Sequence, residues 1–166
     1  MNVSEAIKTK RAVRLFTKEP VPEATILAIL EAGRRSQSSK NTQPWQFVVV
    51  RDRAKLEALS KLGDFAGHLA GAAFAIALVG TTTKQRIDFD LGQASAYLQL
   101  QAWELGVGSC IATMYHPDQA KALLNIPADM HLINLLSCGF PSPDFKPAKL
   151  GGRKPINEVV KWDSWT

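Results

Sequence analysis

The sequence predicts an α+β fold in a single domain that spans residues 1–166. Three short apolar runs have the length of buried strands, and the segments between them place apolar residues at helical spacing. Helices and strands alternate without the regular cadence of a βαβ protein, which disfavours a doubly wound parallel sheet. A chain of 166 residues can bury about two thirds of its unfolded surface, so a hydrophobic core alone can stabilise it.

Two helices are predicted before the first strand. Asn2, followed three residues later by Glu5, has the pattern of a capping box, which begins a helix that ends near Lys10. The proline-rich segment that follows interrupts the chain, and Pro22 suits the first turn of a second helix. Apolar residues at helical spacing continue this second helix to Gly33.

Turn formers and β-branched runs then alternate along the chain. Residues 36–44 are polar and rich in turn formers, so they predict a loop. Residues 46–50 form a β-branched run that is short enough for a buried strand. Asp52 can cap a third helix that ends near residue 62, and residues 72–79 predict a second buried strand.

The second half of the chain predicts the longest helix and the third strand. Apolar side chains recur at helical spacing over residues 87–105, and Gly106 is a suitable residue to end this helix. The remaining predicted elements are a turn-rich stretch over residues 106–114, a helix over 118–124, a buried strand over 132–138 and a final helical segment over 155–160.

Charge is distributed unevenly along the chain. Residues 1–55 carry eleven Lys or Arg and five Asp or Glu, residues 56–145 carry four and eight, and residues 146–166 carry five and two. The cations at both ends occur in small clusters and not in a continuous basic stripe, which favours a compact bound anion over nucleic acid. The other basic residues are interpreted as ordinary surface cations: Arg34, Arg35, Arg51, Arg53 and Lys55.

Missing patterns disfavour several classes of protein. The longest run free of charge and strong polarity, residues 69–80, is too short for the ~20 residues of a transmembrane helix. The N-terminus lacks the basic and apolar regions of a secretory signal, which predicts a cytoplasmic location. No phosphate-binding loop, metal-ligand spacing or nucleophile elbow is present, so we predict no metal site and no catalytic side chain. If the protein is an enzyme, a cofactor is expected to carry the reaction.

Seven recognisable segments are spread over nearly the whole chain. They are residues 10–16 (KRAVRLF), 36–50 (SQSSKNTQPWQFVVV), 90–94 (DLGQA), 104–109 (ELGVGS), 125–127 (NIP), 138–141 (CGFP) and 153–156 (RKPI). In this order and spacing they resemble the nitroreductase family of FMN-dependent oxidoreductases. The resemblance implies a mixed, mainly antiparallel sheet flanked by helices. It also implies a homodimer with two FMN molecules at the subunit interface, each held by residues of both chains.

The resemblance implies that basic residues hold the FMN phosphate. Lys10, Arg11 and Arg153 correspond to the phosphate clamp, with Lys149 as a weaker candidate. Arg14 corresponds to a cation near the ribityl chain and the N1/O2 edge of the flavin. Positive charge there stabilises the anionic reduced flavin and raises its reduction potential.

The resemblance further implies which residues lie beside the flavin ring. Ser38, Ser39 and Asn41 resemble the loop that the partner subunit places against the flavin. The segment that flanks the isoalloxazine ring, and whose backbone N–H groups can reach N5 and O4, corresponds to Cys110, Ile111, Ala112 and Thr113.

Three positions depart from the family pattern. Lys10 stands where many members have Arg, and Gln37 stands where Pro is common. Ala12 also lies in the cofactor-binding segment, but it stands where many members have Ser, so a hydroxyl contact is missing. These departures leave open an alternative function, a flavin-binding or flavin-remodelling protein that does not turn over NAD(P)H.

By resemblance, the expected function is that of an FMN-dependent NAD(P)H oxidoreductase. Hydride passes from NADH or NADPH to the flavin, and from the flavin to a nitroaromatic, quinone or flavin-type acceptor. The protein supplies orientation, stacking and positive charge to both half-reactions, so no side chain is assigned as catalytic. The sequence does not determine the physiological acceptor or the preference between NADH and NADPH.

Overall fold

The computed structural model describes residues 1–81, 87–148 and 152–165. Within these ranges the chain forms six α-helices, two 3-10 helices (Ser39–Asn41 and Gly67–Gly71) and four strands. The α-helices are α1 (Val3–Thr9), α2 (Glu23–Arg34), α3 (Arg53–Leu59), α4 (Ile87–Glu104), α5 (Pro117–Leu123) and α6 (Ile156–Val159), and the strands are β1 (Trp45–Val50), β2 (Phe74–Gly80), β3 (Gly108–Ala112) and β4 (His131–Gly139). None of the described helices is both long and apolar enough to cross a bilayer.

The four strands form one sheet in the order β1–β2–β4–β3, and every neighbouring pair is antiparallel. All seven residues of β2 are buried, because helices cover both faces of the sheet. Phe74, Ile76 and Leu78 pack with α2 and α4 on one face, whereas Ala75, Ala77 and Val79 pack with α3 and α5 on the other. The predicted α+β class and the mainly antiparallel sheet are confirmed.

The helix caps that the sequence predicts are present. The side chain of Asn2 accepts a hydrogen bond from the Glu5 N–H at 2.9 Å and begins α1. The side chain of Asp52 accepts from the Lys55 N–H at 2.8 Å and begins α3 in the same way. Local capping chemistry therefore sets both helix starts, independently of the tertiary fold.

Two local predictions are wrong. Pro22 lies just before α2 and not in its first turn, and the stretch predicted to be turn-rich, residues 106–114, contains β3. Gly106 does end α4, with a φ of 75°. Gly108 is not a turn residue, because it begins the strand, and a Cβ at this position would lie 2.6 Å from the Cβ of Val13. Close packing against a distant segment, which local sequence does not show, explains this glycine.

The segment that follows α1 lies along the open edge of the sheet. Residues 12–17 run beside β3 and past the end of β4, and the bridge between Ala12 and Ser109 is parallel. Its backbone hydrogen bonds run from the Val13 N–H to the Ser109 carbonyl (3.0 Å), from the Thr17 N–H to the Phe140 carbonyl (2.9 Å) and from the Ser142 N–H to the Leu15 carbonyl (3.0 Å). This segment covers the first part of an edge that would otherwise expose unpaired backbone groups.

We expect Gly108→Ala to destabilise the fold by about 1–3 kcal/mol, because the added methyl group overlaps the Val13 side chain and separates residues 12–17 from β3. Urea denaturation measures this change. Gly92→Ala on the exposed side of α4, where a Cβ meets no neighbouring atom, is the matched control. The control is expected to gain about 0.5–1 kcal/mol, and an equal loss in both variants would contradict the close-packing account.

Candidate functional site

Two basic side chains meet beside β3. Side chains alternate along an extended segment, so Ala12 and Arg14 point away from the fully buried Val13. Lys10 and Arg14 both act electrostatically on the Cys110 thiol. Burial raises the pKa of this thiol, and the positive charges of Arg14 and Lys10 act in the opposite direction. The structure therefore brings together three of the predicted site residues: Lys10, Arg14 and Cys110.

The Lys10 ammonium is half-buried and has a neutral partner. Its Nζ donates a hydrogen bond to Oε1 of Gln99 at 2.5 Å. Burial lowers the pKa of Lys10, since removing the ammonium from water disfavours its charged form. This charge is therefore held in the protein without a carboxylate partner.

Arg11 lies differently from the other predicted clamp residues. Its Nη1 donates to the carbonyl oxygens of Lys8 and Lys10, at 2.8 Å and 2.9 Å. These are carbonyls at the C-terminal end of α1, where the helix dipole favours a cation. The structure therefore places the Arg11 guanidinium on the helix end and not beside Arg14, although the side chain is exposed and free to turn.

A groove of about 260 Å³ lies between the N-terminal segment and the residues that follow β4. It is lined by Ala12, Arg14, Leu15, Phe145, Lys146 and Ala148. No sequence motif marks Lys146 as a site residue. It lines the same groove as Arg14 because of the path that the chain takes after β4. Lys149 lies outside the described residues. Arg153 lies in the exposed C-terminal segment that follows.

Several basic residues outside the predicted site have partners in the structure. Arg34 and Arg35 both pair with Glu31 at 2.6 Å, and Arg51 pairs with Glu23 at 3.2 Å. Arg53 donates to two backbone carbonyls, so local partners confirm the interpretation of these four arginines as surface cations. Among the described residues, no ion pair involves Lys10, Arg11, Arg14, Lys146 or Arg153. An anion can therefore bind these residues without displacing a carboxylate.

The loop that contains the predicted residues Ser38, Ser39 and Asn41 has an unusual backbone. Lys40, Asn41 and Gln43 all have positive φ, between 49° and 54°. A non-glycine residue in this region is strained and persists only where its surroundings hold it. The Ser38 hydroxyl holds the loop from within, because its Oγ accepts a hydrogen bond from the Gln43 N–H at 2.9 Å.

Asp90 ties this loop to the first turn of α4. Its buried carboxylate accepts a hydrogen bond from the Ser39 N–H at 3.2 Å. Gln99, the partner of Lys10, lies nine residues later on the same helix, which corresponds to about 14 Å along the axis. The contacts of one chain thus hold the loop and the Lys10 cluster at separate points of α4.

Only alternate residues of the segment 110–113 direct their backbone N–H and C=O groups to the open edge of the sheet. In an antiparallel pair, the N–H and C=O of one residue point to the same side, and this side alternates along the strand. The Ser109 carbonyl faces the N-terminal segment, so Ile111 faces the same open edge, and Thr113 follows it. The backbone groups of Cys110 and Ala112 face β4 instead. The side chain of Ile111 is 46% exposed, whereas those of Cys110 and Ala112 are buried.

His68 lies behind this part of β3 and was not among the predicted site residues. Its Nδ1 is 2.7 Å from the Ser137 hydroxyl, which donates to the Cys110 carbonyl at 3.3 Å. Nε2 is buried and has no hydrogen-bond partner among the described residues. Burial and the nearby Arg14 charge lower the pKa of His68, and the Ile111 carbonyl acts in the opposite direction.

The described residues provide neither a metal site nor a disulfide. Within residues 1–81, 87–148 and 152–165, no three His, Cys, Asp or Glu side chains lie close enough together to hold a metal ion. Both cysteines are buried free thiols. The chemistry available at the site is therefore positive charge, backbone donors at a strand edge and a groove lined by apolar side chains with two cations, Arg14 and Lys146.

Comparison with known proteins gives one consistent family. The profile of the Nitroreductase family matches residues 7–70 and 65–140. The chain is 26% identical over 200 residues to an NADH dehydrogenase of Thermus thermophilus, an alignment that covers 98% of this chain and 96% of that protein. It is 24% identical over 178 residues to an iodotyrosine deiodinase of Thermotoga neapolitana, covering 92% of each. A solved FMN-dependent nitroreductase of Clostridium difficile has a TM-score of 0.84 at 25% identity, covering 98% of this chain and all of that one.

We expect the surroundings of His68 to make stability depend on pH. The folded pKa lies below the ordinary value of 6.5, so the unfolded chain takes up this proton more readily than the folded chain. The contribution of neutral His68 to the free energy of unfolding is complete above pH 6.5, and it is lost as the pH falls towards the folded pKa. Urea denaturation at about pH 7.5 and 5.5 should therefore give a lower free energy of unfolding at the acidic pH. His68→Asn, which keeps a donor to Ser137 but does not titrate, should reduce this difference, and an unchanged difference would exclude His68 as its cause.

Proposed function

The chain belongs to the nitroreductase family, and from this premise we propose that it is an FMN-dependent NAD(P)H oxidoreductase that reduces nitroaromatic, quinone or flavin-type acceptors. In this proposal, residues 1–166 form one FMN-binding domain, and the protein acts as a homodimer in the cytoplasm. The observation that carries the proposal is the half-buried Lys10 ammonium, which lies with Arg14 near Cys110 of β3 and has an amide, not a carboxylate, as its partner. When bound, FMN would supply the redox chemistry, the transfer of hydride from NADH or NADPH to the acceptor in alternating half-reactions.

The basic residues fit the phosphate of FMN. A phosphate monoester carries between one and two negative charges near neutral pH and accepts several hydrogen bonds. We assign its binding to Lys10, Arg11 and Arg153, with Lys149 as a weaker candidate. Lys146, which shares the groove with Arg14, adds a further positive charge there. For Arg11 this role requires the exposed guanidinium to leave the carbonyls at the end of α1.

The residues along β3 fit the flavin ring. Arg14 brings positive charge to this edge, where it favours reduction by stabilising added negative charge. Ile111 and Thr113 face the open edge and can offer backbone donors, whereas Cys110 and Ala112 shape the site through the strand itself. Ala12 contributes a small side chain to the groove. No side chain is assigned as an acid, a base or a nucleophile, and none is assigned to a metal.

Exposed apolar residues support the homodimer. The C-terminal segment exposes Ile156, Val159, Trp162 and Trp165, and both tryptophans are 84% exposed. A second apolar surface is the groove of about 600 Å³ between α1, α2 and α4. Apolar groups concentrated in this way are typical of surfaces that a partner covers. The separation of the loop at residues 38–43 from the Lys10 cluster of the same chain supports a site completed by Ser38, Ser39 and Asn41 of a second chain.

The test of the proposed function is the visible spectrum of the purified protein after addition of FMN and removal of the excess. We expect a bound flavin spectrum that bleaches when NADH or NADPH is added anaerobically, and recovers when a quinone is added. Sedimentation of the same sample should show that the flavin travels with a dimer. A flavin-loaded monomer would contradict the shared site, and a protein that takes up no flavin would contradict the function.

The alternative function gives a different result in the same experiment. Lys10, Ala12 and Gln37 depart from the family pattern, which favours a flavin-binding or flavin-remodelling protein as the second candidate. Such a protein would bind FMN, and neither NADH nor NADPH would bleach it. Bleaching by either nicotinamide, at a rate that supports turnover, excludes this alternative.

We expect Arg153→Ala to weaken FMN binding by about 10- to 100-fold, the range for hydrogen bonds to charged groups. Lys161→Ala removes one positive charge from the same exposed segment and serves as the matched control. Fluorescence titration with FMN measures both. If both variants lose affinity equally, the effect comes from net charge, and Arg153 is not part of the phosphate clamp.

A further inference from the structure

Helix α4 buries a polar side chain, Gln99, that the proposed function does not use. Gln99 is 7% exposed, which is unusual for an uncharged polar side chain of this length. Apart from Asp90 and Ser95, the other buried residues of this helix are apolar. A buried amide is retained only where its hydrogen bonds offset the loss of hydration. Its contacts therefore indicate what the residue does.

The orientation of the Gln99 amide is fixed by its neighbours. Nε2 donates to the backbone carbonyl and to the hydroxyl of Ser95, both at 3.2 Å. Oε1 consequently points to Lys10 and accepts from its Nζ at 2.5 Å. The flipped amide would place two donors together at Lys10 and two acceptors together at the Ser95 carbonyl, so this network permits one orientation.

We propose that Gln99 is a positioning residue that holds the Lys10 ammonium in place for an anionic phosphate group. The inference rests on the proposed function, in which this group is the phosphate of FMN. Gln99 does not touch the phosphate. It acts through Lys10, and Ser95 acts through Gln99.

An amide suits this role better than a carboxylate. An ammonium group has three donors, and Gln99 uses one of them, which leaves two for phosphate oxygens. A carboxylate would fix the same ammonium but would cancel its charge, whereas a neutral amide leaves the full positive charge available. Burial lowers the pKa of Lys10, and a bound anion would act on that pKa in the opposite direction.

The substitution of Lys for Arg at position 10 makes such a partner necessary. An arginine presents a rigid planar fork that grips a phosphate by itself, whereas a lysine is a point charge on a flexible stem. Holding the Lys10 ammonium against α4 removes much of that freedom before the anion arrives. The buried pair of Gln99 and Ser95 thus replaces the preorganisation that an arginine would provide.

The experiment compares FMN with riboflavin, which has the same ring and ribityl chain but no phosphate. We expect Gln99→Leu to raise the Kd for FMN about tenfold, as for a lost contact to a charged group, and to leave the Kd for riboflavin within about twofold. A purely structural role for Gln99 would weaken both ligands together. An unchanged ratio of the two Kd values in Gln99→Leu would overturn the proposal.

Two further variants keep the test decisive if Gln99→Leu does not fold. Gln99→Glu retains the hydrogen bond but neutralises Lys10, so it should weaken FMN, spare riboflavin and flatten the salt dependence of FMN binding. Ser95→Ala removes one of the two acceptors that orient the amide, so it should shift the ratio in the same direction by a smaller factor. Wild-type behaviour of both variants would likewise overturn the proposal.

Gln93→Leu is the matched control, because it makes the same substitution on the same helix, six residues away from position 99. It should leave the ratio of the two Kd values unchanged, and a change equal to that of Gln99→Leu would overturn the proposal. Failure of the proposed function is distinguishable: the wild-type protein would then either bind neither FMN nor riboflavin, or bind FMN that neither NADH nor NADPH bleaches. If wild type prefers FMN and Gln99→Leu keeps that preference, only the role of Gln99 is refuted.

Discussion

The docking of residues 12–17 against the edge of β3 is the contact on which the site depends. Val13 is completely buried there, and its N–H bonds to the Ser109 carbonyl, while the absence of a side chain at Gly108 lets the two backbones approach. Because side chains alternate along an extended segment, burying Val13 turns Ala12 and Arg14 outward into the groove. The same contact covers part of the edge of the sheet. The packing of residues 12–17 on β3 therefore both protects this edge and orients the side chains of the site.

Helix α4 holds two parts of the candidate site through buried polar side chains. It buries three polar side chains, Asp90, Ser95 and Gln99, in a helix that otherwise packs apolar residues against the sheet. Each of them hydrogen-bonds a group of the candidate site or a neighbour that does so: Asp90 bonds the strained loop, Gln99 bonds Lys10, and Ser95 orients Gln99. Burying polar groups lowers stability unless their hydrogen bonds are complete. Their presence on α4 is explained if the helix also sets the position of the two parts of the site.

Much of the fold could be predicted from the sequence, because its signals are local. Neighbouring residues alone determine the caps at Asn2 and Asp52, the helical spacing of apolar residues along α4 and the apolar runs of three strands. β3 was missed because Gly106 and Gly108 resemble turn residues, although only the first has the positive φ of a helix end. The second is a glycine because of Val13, which lies 95 positions earlier in the chain.

For the site, too, the sequence predicts the local features but not the contacts between distant residues. The clusters of cations and their excess at both ends are visible in the sequence, as is the resemblance that assigns them to a phosphate. Their partners are not visible. That Arg11 lies on the end of α1, that Lys146 shares a groove with Arg14 and that Lys10 bonds Gln99 are all consequences of the tertiary structure. Sequence therefore predicts which residues a site draws on, and packing decides how each one is held.

The distribution of paired and unpaired charge has an energetic consequence. Like charges that lie close together repel, and a half-buried ammonium such as that of Lys10 also loses hydration, so the ligand-free site lowers the stability of the fold. An anion that binds only the folded chain relieves both effects and stabilises it by mass action. The chain does not lack the means to neutralise its cations, since Glu23 and Glu31 pair with three surface arginines. The half-buried ammonium of Lys10, unlike those arginines, has an amide and not a carboxylate as its partner, and a binding site is where such a loss of stability is retained.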